Sequence, residues 1–410
     1  MKKVVITGIG AVTPLANTFA DSWQLIRKGV SGIGAITKFD ASRLSWKSAG
    51  ELKGFNRELF LSKKEILRLD PFVQYAVAAS VMAVEDAGLI SHGSWVMGHG
   101  SKKINNAGVI IGSSRGGITT IEKEQKKFYT LRPYRLSPYL MPSTTISMAA
   151  SYTAQKLGIK GYCMGISNAC ASGTNAVGEA YKLIKHGYAD VMITGGAEAP
   201  ICRLCIEGYG ISGALSKKNE TSASRPFDKK RDGFVLAEGA CILVIEEYES
   251  AIKRGANIYA ELTGYGNTTD AYHITRSDMK GEQKAIVNAL EDAGIPTGDV
   301  DYINAHGTST LLGDRVEAQA IKSIFRENIP VSSIKSITGH MLAASGAFET
   351  ACTAMSLKEW IIPPTINLTD KDPECYINVI TEKKETNIKI AITNSFGFGG
   401  VNAVLVLKKA

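Results

Sequence analysis

Cys170, His306 and His340 are the residues of this sequence whose types and settings suit joint chemistry. Cys170 lies in NACASGTNAVG at residues 168–178, where small neighbours leave room for a ligand. The pattern after it predicts a helix, so the thiol is expected at a strand-to-helix turn, where the helix dipole favours the thiolate and lowers the pKa. Each histidine follows an apolar run and sits among small residues. Together they indicate an activated nucleophile.

The other cysteines suggest less. Cys163 lies in the apolar run GYCMGI and is predicted to pack as a small hydrophobe in a half-buried strand. Cys202 and Cys205 form a lone Cys-x-x-Cys, which supplies too few ligands for zinc, so no firm metal site is predicted. Seven cysteines, an odd number without a signal segment, favour reduced thiols and a cytoplasmic protein.

Alternating strand and helix patterns must position these residues. Helical patterns at 71–89 and 281–295 both end in Glu-Asp-Ala-Gly, an echo that suggests two halves built alike. Polar stretches at 91–105 and 217–233 are predicted loops. Strands are predicted from β-branched apolar runs at 2–10, 106–114, 189–199, 240–248, 258–266, 389–397 and 402–409. This alternation predicts an α/β protein with mostly parallel pairing.

Composition excludes some classes of function. The 410 residues are 44% hydrophobic, and the net charge of +8 is not gathered into a basic block. Aromatic residues do not interleave with basic ones, so we expect no nucleic-acid partner. No apolar run reaches the roughly 18–20 residues that span a bilayer, so we expect no membrane association.

Six segments carry a resemblance to a known family. They are NACASGTNAVG at 168–178, ASRPFDKKRDGFVLAEGA at 223–240, NAHGTSTLLGD at 304–314, KSITGHMLAASGAFE at 335–349, IIPPTINLTDKDPEC at 361–375 and NSFGFGGVNAVLVL at 394–407. They resemble, in order and spacing, the signature blocks of the β-ketoacyl-acyl-carrier-protein synthases, most of all the elongating synthase II type. The resemblance covers residues 2–408.

The resemblance implies a thiolase-like fold, in which two pseudo-symmetric α/β halves stack in a five-layer αβαβα arrangement, normally as a dimer. We place an N-terminal half at 1–253, with Cys170, and a C-terminal half at 254–410, with His306 and His340.

The implied activity is decarboxylative condensation. In this family an acyl chain moves from the pantetheine arm of acyl carrier protein to the cysteine, and the carbanion from malonyl-carrier protein then attacks the new thioester. By motif match Cys170 is the nucleophile, and His306 and His340 bind the enolate. No resident cofactor is expected, because 4'-phosphopantetheine is carried by the acyl carrier protein, the expected partner.

Further roles follow from the same match. Lys335 orients groups beside the second histidine, or forms a structural ion pair with Glu349. Phe396 and the gating Phe398 belong to a glycine-flanked loop beside the cysteine. Contacts to the pantetheine arm match Thr308 and Thr310. Some relatives bind a structural monovalent cation at the positions that match Asn304, Glu349, Thr393 and Asn394. Basic residues that meet the acidic carrier protein match Lys64, Arg68 and Arg135.

Arg115 departs from the pattern. Synthase II enzymes usually have an aliphatic residue there, which lines the acyl pocket. If Arg115 points into the acyl pocket, its charge would oppose a hydrocarbon chain and favour a polar polyketide chain. If it points away from the pocket, it would have no effect on the choice of chain.

Two pathways therefore stay open: fatty-acid biosynthesis by a homodimer, and type II polyketide assembly by a heterodimer with a chain-length factor. A non-catalytic scaffold subunit is the less favoured alternative, because such subunits typically lack the cysteine.

Overall fold

Strands form where short runs are apolar, and the longest ones are buried. The structure is a computed structural model that describes residues 1–91, 106–131 and 133–410. Within these residues the strands are β1 Val4–Val12, β2 Gly34–Ala35, β3 Ser48–Ala49, β4 Ala107–Gly112, β5 Cys163–Ile166, β6 Val191–Glu198, β7 Gly239–Glu247, β8 Ala260–Thr269, β9 Tyr302–Asn304, β10 Pro330–Ser332, β11 Ile361–Ile362, β12 Asn378–Val379, β13 Lys384–Glu385, β14 Ile390–Gly397 and β15 Val401–Lys408.

Helices alternate with these strands. Those in the described residues are α1 Phe19–Arg27, α2 Lys63–Arg68, α3 Pro71–Asp86, α4 Ile118–Thr130, α5 Leu140–Thr144, α6 Met148–Leu157, α7 Ser172–Lys185, α8 Arg203–Ile211, α9 Tyr248–Lys253, α10 Met279–Ala293, α11 Leu311–Ile324, α12 Lys335–Thr338 and α13 Ala343–Glu359. The two predicted helices are confirmed as α3 and α10. Each is followed by a glycine with positive φ, Gly88 and Gly294, because only glycine adopts that turn without strain.

The main sheet repeats one strand order twice. Its order is β12-β10-β9-β14-β15-β8-β1-β7-β6-β4-β5. Reading outward from the centre, β8-β15-β14-β9-β10 mirrors β1-β7-β6-β4-β5. The two groups join where Val4 to Ile6 of β1 pair antiparallel with Ala260 to Leu262 of β8. The pseudo-symmetric halves expected from the resemblance are therefore present. The prediction of mostly parallel pairing is wrong, because the adjacent strands from β14 to β6 along the centre of the sheet pair antiparallel.

Helices make the remaining layers. α3 and α6 pack on the outer face of the N-terminal strands, α10 and α11 lie on the C-terminal side, and α7 and α13 contact each other and strands of both groups. Their order is the predicted five-layer αβαβα arrangement. The predicted division between residues 253 and 254 falls between α9 and β8.

Glycines let the two central helices approach closely. A Cβ on Gly173 of α7 would lie 2.1 Å from the carbonyl oxygen of Ala343, and one on Gly346 of α13 would lie 2.0 Å from Thr174 Oγ1. α7 follows Cys170 and α13 follows His340. The close contact between the two helices therefore brings Cys170 near His340.

The polar segments have different outcomes. Residues 217–233 form a loop, as predicted. In the loop predicted at 91–105, residues 92–105 lie outside the described residues. Among the residues described, no helix combines the length and apolar character that crossing a bilayer requires.

Candidate active site

Two sets of parallel strands end at one place. β4 lies between β6 and β5, and β9 lies between β14 and β10. Since the carboxyl ends of parallel neighbours meet at one edge, the segments after these strands converge. Cys170 follows β5, His306 follows β9, and His340 follows the short helix after β10.

A cavity of about 280 Å³ opens at these strand ends. The predicted site residues that line it are Cys170, His306, His340, Thr308, Thr310, Phe396 and Phe398. Lys335 and Glu349 are buried outside its lining, and Arg115 is exposed and does not line it.

A tight turn presents Cys170 to this cavity. Ala169 has a φ of 47°, which is rare for alanine, and one 3-10 turn at Ala169–Ala171 precedes α7. Ser172 Oγ donates to the Ala169 carbonyl at 2.6 Å and accepts the Asn168 N–H at 2.8 Å. The predicted strand-to-helix turn is confirmed, and strained backbone of this kind clusters at functional sites.

Burial decides the protonation of Cys170. Burial raises the pKa of its thiol to about 11, while the charges of Lys335 and Arg115 act in the opposite direction. The pKa lowering expected from the helix N-terminus is therefore wrong for the resting protein, whose thiol is protonated at neutral pH. The backbone N–H of Phe398 donates to the Cys170 sulfur and favours the thiolate once it forms.

His306 is held through its backbone. The N–H groups of His306 and Gly307 donate to the Glu317 carboxylate at 2.8 and 2.7 Å. Ring atom Nδ1 has no partner among the described residues. Burial, then the charges of Lys335 and His340, lower the pKa of this imidazole well below its usual range, so the ring is neutral.

His340 meets His306 edge to face, with the ring centroids 5.4 Å apart. Ser345 Oγ accepts the Met341 N–H at 2.9 Å and lies 3.2 Å from His340 Nδ1. We assign the Ser345 hydroxyl proton to Nδ1 and the ring proton to Nε2, because Ser345 Oγ already accepts one N–H; Nε2 has no partner among the described residues. Burial, then Lys335, lower the pKa of His340 well below its usual range.

Lys335 and Glu349 form an ion pair, and each side chain is 1% exposed. The structural ion pair considered from the sequence is therefore present. Its ammonium also lowers the pKa of Cys170, His306 and His340, so the charge acts on the cavity residues without lining the cavity.

Similarity to known proteins agrees with this geometry. Residues 1–251 match the family model for the N-terminal domain of beta-ketoacyl synthases, and residues 259–369 match the model for the C-terminal domain. The chain belongs to the β-ketoacyl synthase family.

Full-length relatives are similar throughout. The chain is 47% identical to 3-oxoacyl-[acyl-carrier-protein] synthase 2 of Staphylococcus aureus (strain COL), covering 100% of this chain and 98% of the relative. It superposes on the ishigamide ketosynthase/chain length factor with a TM-score of 0.92 and 32% identity, covering 100% and 99% of the two chains. A type II polyketide ketosynthase, bound to its acyl-carrier protein, matches at a TM-score of 0.88 and 33% identity over 100% of both chains.

The residues predicted to bind the arm lie on the C-terminal side of the cavity. In this β-ketoacyl synthase, Thr308 and Thr310 share a hydrogen bond of 3.0 Å beside His306. Phe398 packs against the apolar cluster that contains Cys170. Their placement fits the predicted roles, which stay predictions.

The predicted cation residues divide between two faces of β14. Asn304 donates to the Glu349 carbonyl on α13, and Thr393 pairs with Asn304 in the sheet. Asn394, the next residue, points to the other face, where its amide donates to Glu317 at 3.0 Å. A side-chain oxygen of each of the four residues, Asn394 Oδ1 included, is buried without a partner among the described residues, and the cation role stays a prediction.

Sequence reasoning missed several supporting residues. Glu317 accepts the His306 N–H, Ser345 Oγ contacts His340 Nδ1, and Phe234 packs against His340 with ring centroids 5.1 Å apart. Glu317 and Ser345 lie within helical patterns, where a polar residue gives no signal of what it contacts. Phe234 lies just after the predicted loop at 217–233, within the segment 223–240 that carries the family resemblance. Neither feature predicts that its ring contacts a histidine.

The remaining cysteines also find their places. Cys163 is exposed at the start of β5, an edge strand, so the prediction that it packs in a half-buried setting is wrong. Cys202 and Cys205 are buried, and their mutual hydrogen bond and then burial raise the pKa of Cys202. Within the described residues no group of three or more His, Cys, Asp and Glu side chains is arranged to hold a metal ion.

The three predicted docking cations lie apart from the cavity lining. Lys64 and Arg68 are exposed on α2, and Arg135 is exposed in the segment before α5. The Arg68 guanidinium lies 4.5 Å from the ring centroid of Tyr139. All three exposed cations belong to the N-terminal half, and their docking role stays a prediction.

Proposed function

We propose that this protein is a β-ketoacyl-acyl-carrier-protein synthase that extends an acyl chain on Cys170 by decarboxylative condensation with malonyl-acyl carrier protein. The observation that carries this proposal is one cavity holding a buried thiol at a strained turn and two neutral imidazoles with unpartnered ring nitrogens.

The first step transfers the acyl chain. Cys170 Sγ attacks the acyl carbonyl, the bond from that carbon to the pantetheine sulfur breaks, and the thiol proton of Cys170 ends on the leaving pantetheine thiol. Backbone N–H groups at the turn and the Phe398 N–H are the donors available to the developing negative charge.

The second step forms the carbon–carbon bond. The malonyl carboxylate leaves as carbon dioxide, and the electron pair of the broken bond passes into an enolate whose oxygen needs N–H donors. His340 Nε2–H and the neutral His306 ring supply them. The enolate carbon then attacks the Cys170 thioester, and the sulfur leaves and takes up a proton.

Other parts of the cavity serve the carrier arm. Thr308 and Thr310 line the route of the pantetheine arm, and Phe398 gates access to Cys170, with Gly397 and Gly399 letting its loop move. The acyl carrier protein docks through the exposed cations Lys64, Arg68 and Arg135, and no cofactor resides in the protein itself.

The assembly we propose is a dimer in the cytoplasm. β5 ends the main sheet and leaves an edge open for pairing with a second chain. In fatty-acid biosynthesis the partner in this dimer is a second copy of the same chain. A chain-length factor serves type II polyketide assembly instead.

Intact-protein mass spectrometry tests the proposal. The protein is incubated with acyl-carrier proteins bearing short, medium and long chains, alone and with candidate partner subunits, and then with malonyl-carrier protein. An acyl adduct that maps to Cys170 and is released as β-ketoacyl product supports it. Cys170→Ser must abolish the adduct, and Cys163→Ser is the matched control that must retain it. Absence of any adduct at Cys170, or equal loss in both variants, would refute it.

Histidine variants separate the two steps. His306→Ala and His340→Ala are expected to load the acyl chain and to lose condensation by about 10²–10³-fold, as happens when one donor to a developing oxyanion is removed. Unchanged condensation in both would refute the assigned enolate site.

A further inference from the structure

Three neighbouring strand ends bring Arg115 and Tyr209 to the edge of the sheet that holds Cys170. Arg115 lies in the turn after β4, Cys170 follows the adjacent β5, and Tyr209 belongs to α8, after β6 on the other side. Since β6, β4 and β5 are parallel neighbours, these three segments meet at one edge.

Arg115 is fixed at both its backbone and its side chain. The N–H groups of Ser114 and Arg115 donate to the buried carboxylate of Glu198 at the end of β6. Its side-chain Nε donates to Tyr209 Oη at 2.7 Å. Its two terminal amino groups have no acceptor in the described part of the chain, so their N–H donors remain available to a ligand.

Tyr209 connects this guanidinium to the wall of the active site. Its ring centroid lies 5.7 Å from Phe234 and 6.5 Å from Phe398, and Phe234 in turn packs against His340. The Tyr209 hydroxyl accepts the Arg115 hydrogen bond and keeps its own proton to donate. Arg115 and Tyr209 therefore present N–H and O–H donors on one side of the Phe398 ring.

An apolar cluster leads from Cys170 toward this pair. Its buried members include Cys170, Ile201, Leu236 and Leu342, with Tyr209 and Phe398 packed against it. The Arg115 charge opposes the burial that raises the pKa of Cys170, which agrees with a guanidinium close to the nucleophile. The Arg115 side chain is exposed beyond this packed cluster, so a chain carried on Cys170 would have to part the apolar side chains to reach the polar pair.

The chemistry of the pair selects among acyl chains. A saturated hydrocarbon end would strip water from a guanidinium and a hydroxyl and offer no acceptor in return. A chain with a keto or carboxylate oxygen accepts from both, and hydrogen bonds from a guanidinium are among the stronger ones in proteins.

We propose that Arg115 and Tyr209 form an acyl-recognition site, which selects chains that carry a hydrogen-bond-accepting oxygen beyond the thioester. This proposal rests on the proposed function, because the chain it describes is the one carried on Cys170.

Loading kinetics of matched donors test it. Three acyl-carrier proteins of equal chain length carry hexanoyl, 5-oxohexanoyl or adipoyl groups, and the rate of adduct formation at Cys170 is measured for the whole protein. The wild-type protein is expected to load at least one oxygenated chain about tenfold or more faster than hexanoyl. Preference for both oxygenated chains indicates a general acceptor site, and preference for adipoyl alone indicates a carboxylate site.

Variants assign the preference to the pair. Arg115→Ile is expected to reverse the order in favour of hexanoyl, and Tyr209→Phe to reduce the oxygenated preference several-fold. Arg115→Lys keeps a charge without the planar fork and is expected to fall between. Arg203→Ile removes another exposed arginine, on α8 itself and paired with Glu207, and must leave the preference unchanged.

Two failures remain distinguishable. Equal loading of the three donors by the wild-type protein, or an unchanged preference in Arg115→Ile, overturns the recognition site and leaves the condensing activity standing. No adduct at Cys170 with any donor overturns the proposed function itself. Circular dichroism melts of each variant show whether a lost preference reflects lost folding.

Discussion

The ammonium of Lys335 lies against the carboxylate of Glu349 between the two halves of the fold, with each side chain 1% exposed. Lys335 begins α12 and Glu349 belongs to α13, so the pair spans the segment that carries His340. A charge at this depth is tolerated because its partner is present, and it adds to burial in lowering the pKa of both imidazoles.

Removing one partner of this pair should destabilise the protein. Lys335→Met leaves the Glu349 carboxyl buried without a cation, which typically costs about 3–5 kcal/mol of unfolding free energy. Urea denaturation measures the loss. The double variant Lys335→Met with Glu349→Leu should recover most of the stability and none of the condensation rate. Full recovery of activity in the double variant would show that the Lys335 charge has no part in the chemistry.

Much of the fold was accessible from the sequence, since each long strand begins and ends within about three residues of an apolar run and α3 and α10 carry clear stop signals. The central layer was not. α13 is buried almost along its whole length, so it lacks the one-sided pattern that marks a surface helix. The pairing of β1 with β8 also joins residues from opposite halves, which local patterns do not encode.

The site divides in the same way. Cys170 is visible locally, because a strand, small residues and a helix follow in order, whereas the histidine roles depend on the resemblance. The protonation of Cys170 was predicted wrongly, because its pKa depends on burial by distant residues such as Leu342 and Phe234. The direction of Arg115 is set by Tyr209, which lies in another segment of the chain.

The Cys170 thiol should be protonated at neutral pH, so that it reacts only through a small thiolate fraction. Because its pKa is raised to about 11, the thiolate fraction rises about tenfold for each pH unit below that value. We expect the alkylation rate by iodoacetamide to rise about a hundredfold between pH 7 and pH 9. The measurement uses Cys163→Ser, which removes the exposed thiol, and peptide mapping of Cys170. A rate that levels off below pH 8 would contradict the raised pKa.

Gly397 sets the distance between the Phe398 loop and the nucleophile turn. A Cβ at this position would lie 3.1 Å from the Asn168 carbonyl oxygen and 3.2 Å from the backbone nitrogen of Cys170. Gly397→Ala should shift the loop by a few tenths of an ångström and slow acylation about tenfold, since small misplacements of reacting groups cost rate. Gly298→Ala, which meets open space, is the matched control. Equal rates in both variants would contradict this.

Glu198 should make the stability of the protein depend on pH. Burial raises its pKa to about 7, although Ser113, Ser114 and Arg115 donate hydrogen bonds that favour the carboxylate. A folded-state pKa above the ordinary 4.5 means that the folded protein binds more protons than the unfolded chain. The stabilising contribution of Glu198 is therefore complete below pH 4.5 and is lost as the pH rises through about 7.

The variant Glu198→Gln isolates this contribution, because the amide does not titrate and its oxygen still accepts the loop N–H groups. The unfolding free energy of the wild-type protein, less that of the variant, should fall by up to about 3 kcal/mol between pH 4.5 and pH 8.5. Chemical denaturation at each pH measures the difference. A difference that stays constant with pH would mean that Glu198 keeps its ordinary pKa. A difference that rises with pH would mean that the hydrogen-bond donors of the Ser113–Arg115 turn outweigh burial and keep Glu198 ionised.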